Sequence, residues 1–125
     1  KILKPKRIIL VFGCGGNRDR GKREDMARVV NNFADFVIVT SDNPRDEDPI
    51  QIMKDITKHL EVNYVNIEDR ADAIDYAINK SGKDDLVLIA GKGHEEYQEI
   101  KGKRNSFSDK KIAKKCLSKK QGVKN

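Results

Sequence analysis

Asp42-Asn43-Pro44-Arg45 places an acid, an amide and a guanidinium within four residues, with a proline stiffening the backbone between them. The tetrapeptide follows the apolar run Phe36-Val37-Ile38-Val39, which reads as a buried strand. In an open α/β sheet, ligands bind in the crevice beyond the carboxyl ends of the strands. Arg45 can hold a carboxylate through two parallel hydrogen bonds, a geometry that discriminates a carboxylate from an ammonium. Asn43 offers both a donor and an acceptor, as a zwitterionic amino-acid end requires. Asp and Asn ahead of Pro are also ordinary turn formers, so the tetrapeptide taken alone is equally a plain turn.

Two further loops follow apolar runs. The first is Gly13-Cys14-Gly15-Gly16-Asn17-Arg18-Asp19-Arg20-Gly21-Lys22-Arg23, in which residues 16–23 read G-x-x-x-x-G-K-R. A working P-loop needs Ser or Thr after the lysine to hold magnesium, and here that place is Arg23. A dinucleotide fingerprint fails too, because Arg18 stands where its third glycine belongs. What is left is a basic, glycine-flexed loop at a helix N-terminus, either an anion site or a tight turn with solvated charges. The third loop is Gly91-Lys92-Gly93-His94-Glu95-Glu96. Its glycines allow close backbone approach to a ligand, and Glu95 can receive an ammonium. His94 reads as structural.

The elements that must position these loops are legible as periodicities. Residues 8–12, 36–39 and 86–90 are continuously apolar, which implies strands covered on both faces in a parallel sheet between helices. Met26, Val29, Val30 and Phe33 form a helical stripe. Ile52, Met53, Ile56 and Leu60 form a second, and Ala71, Ile74, Ala77 and Ile78 a third. Asp48 ahead of Pro49, with Gln51 three residues after the cap, signals one helix start. Asp69 signals another, with Gly82 after its end. Residues 62–67 read as a weaker strand, Tyr97 to Ile100 with the turn 101–103 as a hairpin, and residues 109–117 as a closing helix. The expected fold is a Rossmann-like α/β domain: an open, mostly parallel sheet with helices on both faces and a small β-hairpin appendage. All three loops then fall on one sheet edge.

Composition bounds the function. The chain has 125 residues, 37% apolar and 37% charged, which suits one soluble domain. No stretch approaches the roughly 20 apolar residues that span a bilayer. The start at Lys1 suggests a processed chain or one cut from something longer. Cys14 and Cys116 are in no metal-ligand spacing and read as free thiols in a reducing compartment. The net charge of +6 comes from residues 110–125, which hold seven lysines and no acid; the rest has 19 basic against 20 acidic groups. This tail carries no aromatic residue to stack on a base, so nucleic-acid binding is disfavoured. The expected division is a domain over 1–117 and a basic, disordered tail over 118–125.

Residues 11–23 (VFGCGGNRDRGKR), 39–45 (VTSDNPR) and 86–98 (LVLIAGKGHEEYQ) together resemble the C-terminal domain of the Mur ligases, in order and spacing. Within that family they are most similar to members that add meso-diaminopimelate to UDP-N-acetylmuramoyl-L-alanyl-D-glutamate in peptidoglycan synthesis. The resemblance covers the chain to about residue 117. It implies a cytoplasmic, ATP-dependent acid–amino-acid ligase in which ATP and magnesium are bound mainly by a central domain outside this chain. It also implies that the C-terminal domain delivers the amino acid, and that this chain alone hydrolyses no ATP and forms no amide. The family's diamino-acid motif matches Asp42, Asn43, Pro44 and Arg45, and its further contacts match Arg18, Gly91 and Glu95. Arg45, helped by Arg18, would favour the far carboxylate that lysine lacks, while Glu95 would meet the held ammonium. No catalytic or metal-binding residue is expected in this chain, and a monomer is expected. The competing reading is a stand-alone anion- or nucleotide-binding Rossmann-like module without catalysis.

Overall fold

Parallel neighbours in a sheet need crossover connections, and in this chain a helix supplies each of them. The computed structural model describes residues 6–13, 21–42, 46–90, 97–100, 103–106 and 108–120. In chain order these form β1 (Arg7–Phe12), α1 (Gly21–Phe33), β2 (Phe36–Val39), α2 (Pro49–Thr57), β3 (Asn63–Asn66), α3 (Arg70–Lys80), β4 (Asp85–Ile89), β5 (Tyr97–Ile100), β6 (Lys103–Ser106) and α4 (Asp109–Lys120). The first four strands make an all-parallel sheet in the order β3-β2-β1-β4. Leu10 pairs with Val37 on one side and with Leu88 on the other. The chain steps outward from β1 to β3 and then returns to lay β4 on the far side of β1. The winding direction therefore reverses between β1 and β4, which makes that point of the carboxyl edge the natural crevice. β5 and β6 form the separate antiparallel hairpin expected from sequence. The Rossmann-like reading holds.

Side chains on a strand alternate between faces, and two cores result. Leu10, Phe12, Val37 and Val39 pack with Ala27 and Val30 of α1 and with Ile52, Met53 and Ile56 of α2. Ile9, Val11 and Ile38 pack on the other face with Ala73, Ile74, Ala77 and Ile78 of α3 and with Cys116 of α4. Most of β1 and of β2 is thus buried from both sides, the condition that their unbroken apolarity implied.

β4 departs from that expectation. Val87 and Ile89 pack against the α3/α4 core, but Leu86 and Leu88 are 40% and 37% exposed. On their face α1 and α2 pack over β1 and β2 and leave these two leucines uncovered. The α1 stripe is also rotated from the expected one. Met26, Val29 and Phe33 are exposed, while Arg23, Ala27, Val30 and Ala34 are buried. Ala27 and Ala34 pack in the core on this face, and Arg23 is held by carboxylates far along the chain. The stripes of α2 and α3 are buried as read, apart from half-buried Leu60 and Ala71.

Helix ends follow capping chemistry. The Asp48 carboxylate accepts from the Ile50 N–H with Pro49 at the first helical position, and Asp69 accepts from the Asp72 N–H. Gln51 does not close a capping box; its amide donates to Asp55 on the next turn. α4 runs to Lys120, three residues past the expected end at 117, because Ile112, Ala113 and Cys116 dock on the α3 core and carry the helix onward. Lys110, Lys111, Lys114, Lys115 and Lys119 on this helix are exposed. Burial, then a hydrogen bond with Asp75, push the Cys116 thiol above its ordinary pKa, consistent with an inert core cysteine.

At the opposite edge of the sheet, the amino ends of β1 and β4 are fastened by Asp85. Its carboxylate accepts from Arg7 at 2.7 Å and from the Gly82 N–H at 2.8 Å. The Arg7 bond first, and then the Gly82 bond, hold Asp85 below the usual carboxylate range. The resulting stability is present above the ordinary unfolded Asp value and is lost as pH falls through the depressed folded value, below about pH 4. Asp85→Asn should therefore lower the urea midpoint at pH 7, and the difference from the unsubstituted chain should shrink progressively as pH falls below about 4. A pH-independent difference would show that the ionised carboxylate contributes nothing.

Candidate functional site

Because β2, β1 and β4 are consecutive and parallel in the sheet, their carboxyl ends, where the three loops begin, share one edge. The described backbone reaches Gly13 on the first loop, Asp42 on the second and Ala90 before the third. Of the residues expected to bind ligand, Asp42 is described. Arg18, Asn43, Pro44, Arg45, Gly91 and Glu95 lie outside the described residues, as do Cys14 and His94.

The root of the second loop is fixed by successive hydrogen bonds. Thr40 donates its N–H to the Phe12 carbonyl, extending the β1–β2 ladder by one residue. Its hydroxyl and the Ser41 N–H both donate to the Glu68 carbonyl. Thr40, Ser41 and Asp42 are all buried, Asp42 at 7% exposure. Gly13 makes this packing possible. A Cβ there would stand 2.3 Å from the Thr40 carbonyl oxygen, which is backbone and cannot rotate away.

On the far side of the second loop's motif, Arg23 anchors Glu47. The Arg23 guanidinium is 1% exposed and donates to both Glu47 oxygens, at 2.9 and 3.1 Å, and to Asp55 at 2.8 Å. Burial opposes its charge, but the bonds to Glu47 and Asp55 outweigh burial and raise its pKa. Asp55 is likewise held low, since bonds from Gln51 and Arg23 overcome the upward push of burial. Arg23 thus leaves the basic loop to which the sequence reading assigned it. It is also the residue where a P-loop would need a magnesium-binding hydroxyl, and a buried guanidinium committed to two carboxylates cannot hold that cation. Magnesium does not fit at this position. Among the described residues no group of three His, Cys, Asp or Glu side chains could hold a metal, and no helix is long and apolar enough to cross a membrane.

A second buried arginine joins the other two loops. Arg70, the first residue of α3, is 1% exposed. It donates through Nε and Nη2 to the two Asp109 oxygens at 2.7 and 2.8 Å. Nη1 reaches the Ser41 carbonyl at 3.3 Å and Nη2 the Ala90 carbonyl at 3.0 Å. Sequence reasoning placed Arg23 in a basic loop rather than in the interior, and gave no site role to Glu47, Arg70 or Asp109. One signal was available: a cation in the first turn of a helix opposes the macrodipole and needs a compensating partner.

Comparison with known proteins agrees with this architecture. The model of a family described as "Mur ligase, glutamate ligase domain" matches residues 1–93. The chain is similar to a UDP-N-acetylmuramoyl-L-alanyl-D-glutamate--2,6-diaminopimelate ligase of Prochlorococcus marinus (strain NATL1A), 52% identical over 120 residues, covering 94% of this chain and 24% of the relative. A ligase of the same name from Anaplasma marginale (strain St. Maries) is 52% identical over 118 residues, with 94% and 25% coverage. A solved structure of a ligase so named superposes with a TM-score of 0.87 at 42% identity, covering 93% of this chain and 24% of the other. The chain therefore spans about a quarter of the length of the proteins it matches.

The close approach at Gly13 is directly testable. Gly13→Ala should lower unfolding free energy by roughly 1–3 kcal/mol, the usual cost of overpacking, measured by urea denaturation. An unchanged midpoint would mean that the ends of β1 and β2 are not packed this tightly.

Proposed function

This chain belongs to the Mur ligase family, as its glutamate ligase domain, and we propose that it delivers the amino acid in an ATP-dependent amide ligase. The substrate would be meso-diaminopimelate or a close diamino diacid, added to UDP-N-acetylmuramoyl-L-alanyl-D-glutamate. The observation that carries the proposal is the Asp42-Asn43-Pro44-Arg45 motif, rooted in buried backbone at the carboxyl edge in a chain half identical to diaminopimelate ligases.

In this reading the diamino acid has one reacting end and one held end. Arg45, with Arg18, pairs with the held carboxylate, and Glu95 meets the held ammonium. Asn43 serves either group, Gly91 lets backbone approach, and Pro44 restricts the loop that Asp42 roots in the sheet. The held carboxylate is what lysine lacks. A charge-assisted Arg–carboxylate bond contributes about 1.5–3 kcal/mol, or on the order of a tenfold to hundredfold preference. The free amine is thereby aimed at the activated carboxyl of the nucleotide-linked dipeptide. Its lone pair forms the C–N bond, phosphate leaves with the C–O electrons, and a proton is released. ATP and magnesium, which supply that activation, belong to the central domain; Arg23 is unsuited to the metal and no step here uses it. Such an enzyme works in the cytoplasm, where ATP and nucleotide-linked precursors are present.

The test is steady-state kinetics on the intact ligase carrying Arg45→Ala or Arg45→Lys. The KM for diaminopimelate should rise about tenfold to hundredfold while the KM for ATP barely moves. Equal losses for both substrates would overturn the assignment of Arg45.

A further inference from the structure

We propose that Arg70 is a positioning residue for the amino-acid site, setting the second and third loops relative to each other through one buried guanidinium. The inference rests on the reading of those loops as the amino-acid site. Ser41 immediately precedes Asp42, and Ala90 immediately precedes Gly91. Arg70 donates to the carbonyls of both, at 3.3 and 3.0 Å. β2 and β4 are not neighbours, because β1 lies between them. Their ends are tied to β1 by the Thr40 and Ala90 N–H groups, and the Arg70 fork adds a direct link from one outer strand to the other.

Asp109 fixes the fork. Its two oxygens take Nε and one Nη2 hydrogen in a bidentate pair that sets the guanidinium plane. With the plane set, the remaining donors point at fixed places, and both loop roots are held to them. Four hydrogen bonds from one side chain are within the five-donor capacity of arginine and beyond the three of lysine. Asp109 opens α4, so the docking of α4 on α3 is coupled to the geometry of the loop roots. Arg70 touches no reacting atom in this account. Its effect is on where Asn43–Arg45 and Gly91–Glu95 begin, and misplacement by about 1 Å at such a site can cost on the order of 10²-fold.

The experiment uses the intact ligase with Arg70→Lys, Asp109→Asn, the double variant, and Arg45→Ala as a reference. Arg70→Lys should raise the diaminopimelate KM about tenfold or more while the ATP KM stays within about twofold. Asp109→Asn, which keeps side-chain size and the carbonyl bonds of Arg70, should show the same selective pattern at smaller amplitude. The double variant should be no worse than Arg70→Lys alone, because the residues act as one unit. The proposal is overturned if folded Arg70→Lys leaves the diaminopimelate KM unchanged or raises both KM values equally. If Arg70→Lys does not fold, Asp109→Asn decides by the same criterion. Should Arg45→Ala also leave the diaminopimelate KM unchanged, the reading of the loops fails together with this proposal. A rise with Arg45→Ala alone removes only the role of Arg70.

Discussion

A guanidinium taken out of water is costly unless its charge is met, and the carboxyl edge of this sheet holds two whose charge is met by carboxylates. Arg70 is met by Asp109 and two loop carbonyls, Arg23 by Glu47 and Asp55. Breaking such a pair leaves an uncompensated buried charge, so each arginine enforces the positions of the chain segments around it. Arg70 fixes where the second loop begins and the third departs. Arg23 ties α1 to the second loop beyond its motif and to α2. The Asp42-Asn43-Pro44-Arg45 motif is thus bracketed by two independent clamps, one on each side of it in sequence.

This arrangement separates scaffold charge from ligand charge. A pocket for a zwitterion with an extra carboxylate needs both signs of charge near its walls, and mobile charges would pair with one another. Committing Arg23 and Arg70 to buried carboxylates and carbonyls removes them from that competition. Arg18, Arg45 and Glu95 are then the groups proposed for the ligand. The same commitment weakens the picture of the first loop as a general anion cradle, since one of its cations belongs to the protein interior.

Much of the fold was legible because its signals are local. The unbroken apolar runs of β1 and β2, the Asp48-Pro49 and Asp69 caps and the β5–β6 hairpin each follow from neighbouring residues. What escaped depends on distance along the chain. Arg23 is buried because Glu47 and Asp55 lie 24 and 32 residues away, and no window on α1 could favour Arg23, Ala27 and Val30 over the more apolar Met26, Val29 and Phe33. Asp109 is 39 residues from Arg70. Leu86 and Leu88 look as buried as their neighbours until the sheet order puts β4 on one side of β1, beyond the cover of α1. For the site, the motif of the second loop stood out by residue type and spacing, whereas the clamps that hold it had only an unfavourable cation in a helix first turn to mark them.

In the function proposed above, this domain selects its amino acid by the charge of the held end. The most direct measurement is kcat/KM for meso-diaminopimelate relative to L-lysine, in the intact ligase and in its Arg45→Ala variant under identical conditions. A strong preference for diaminopimelate is expected in the unsubstituted ligase, shrinking by about tenfold to hundredfold in the variant. A preference left unchanged by removal of the Arg45 guanidinium would contradict selection by charge.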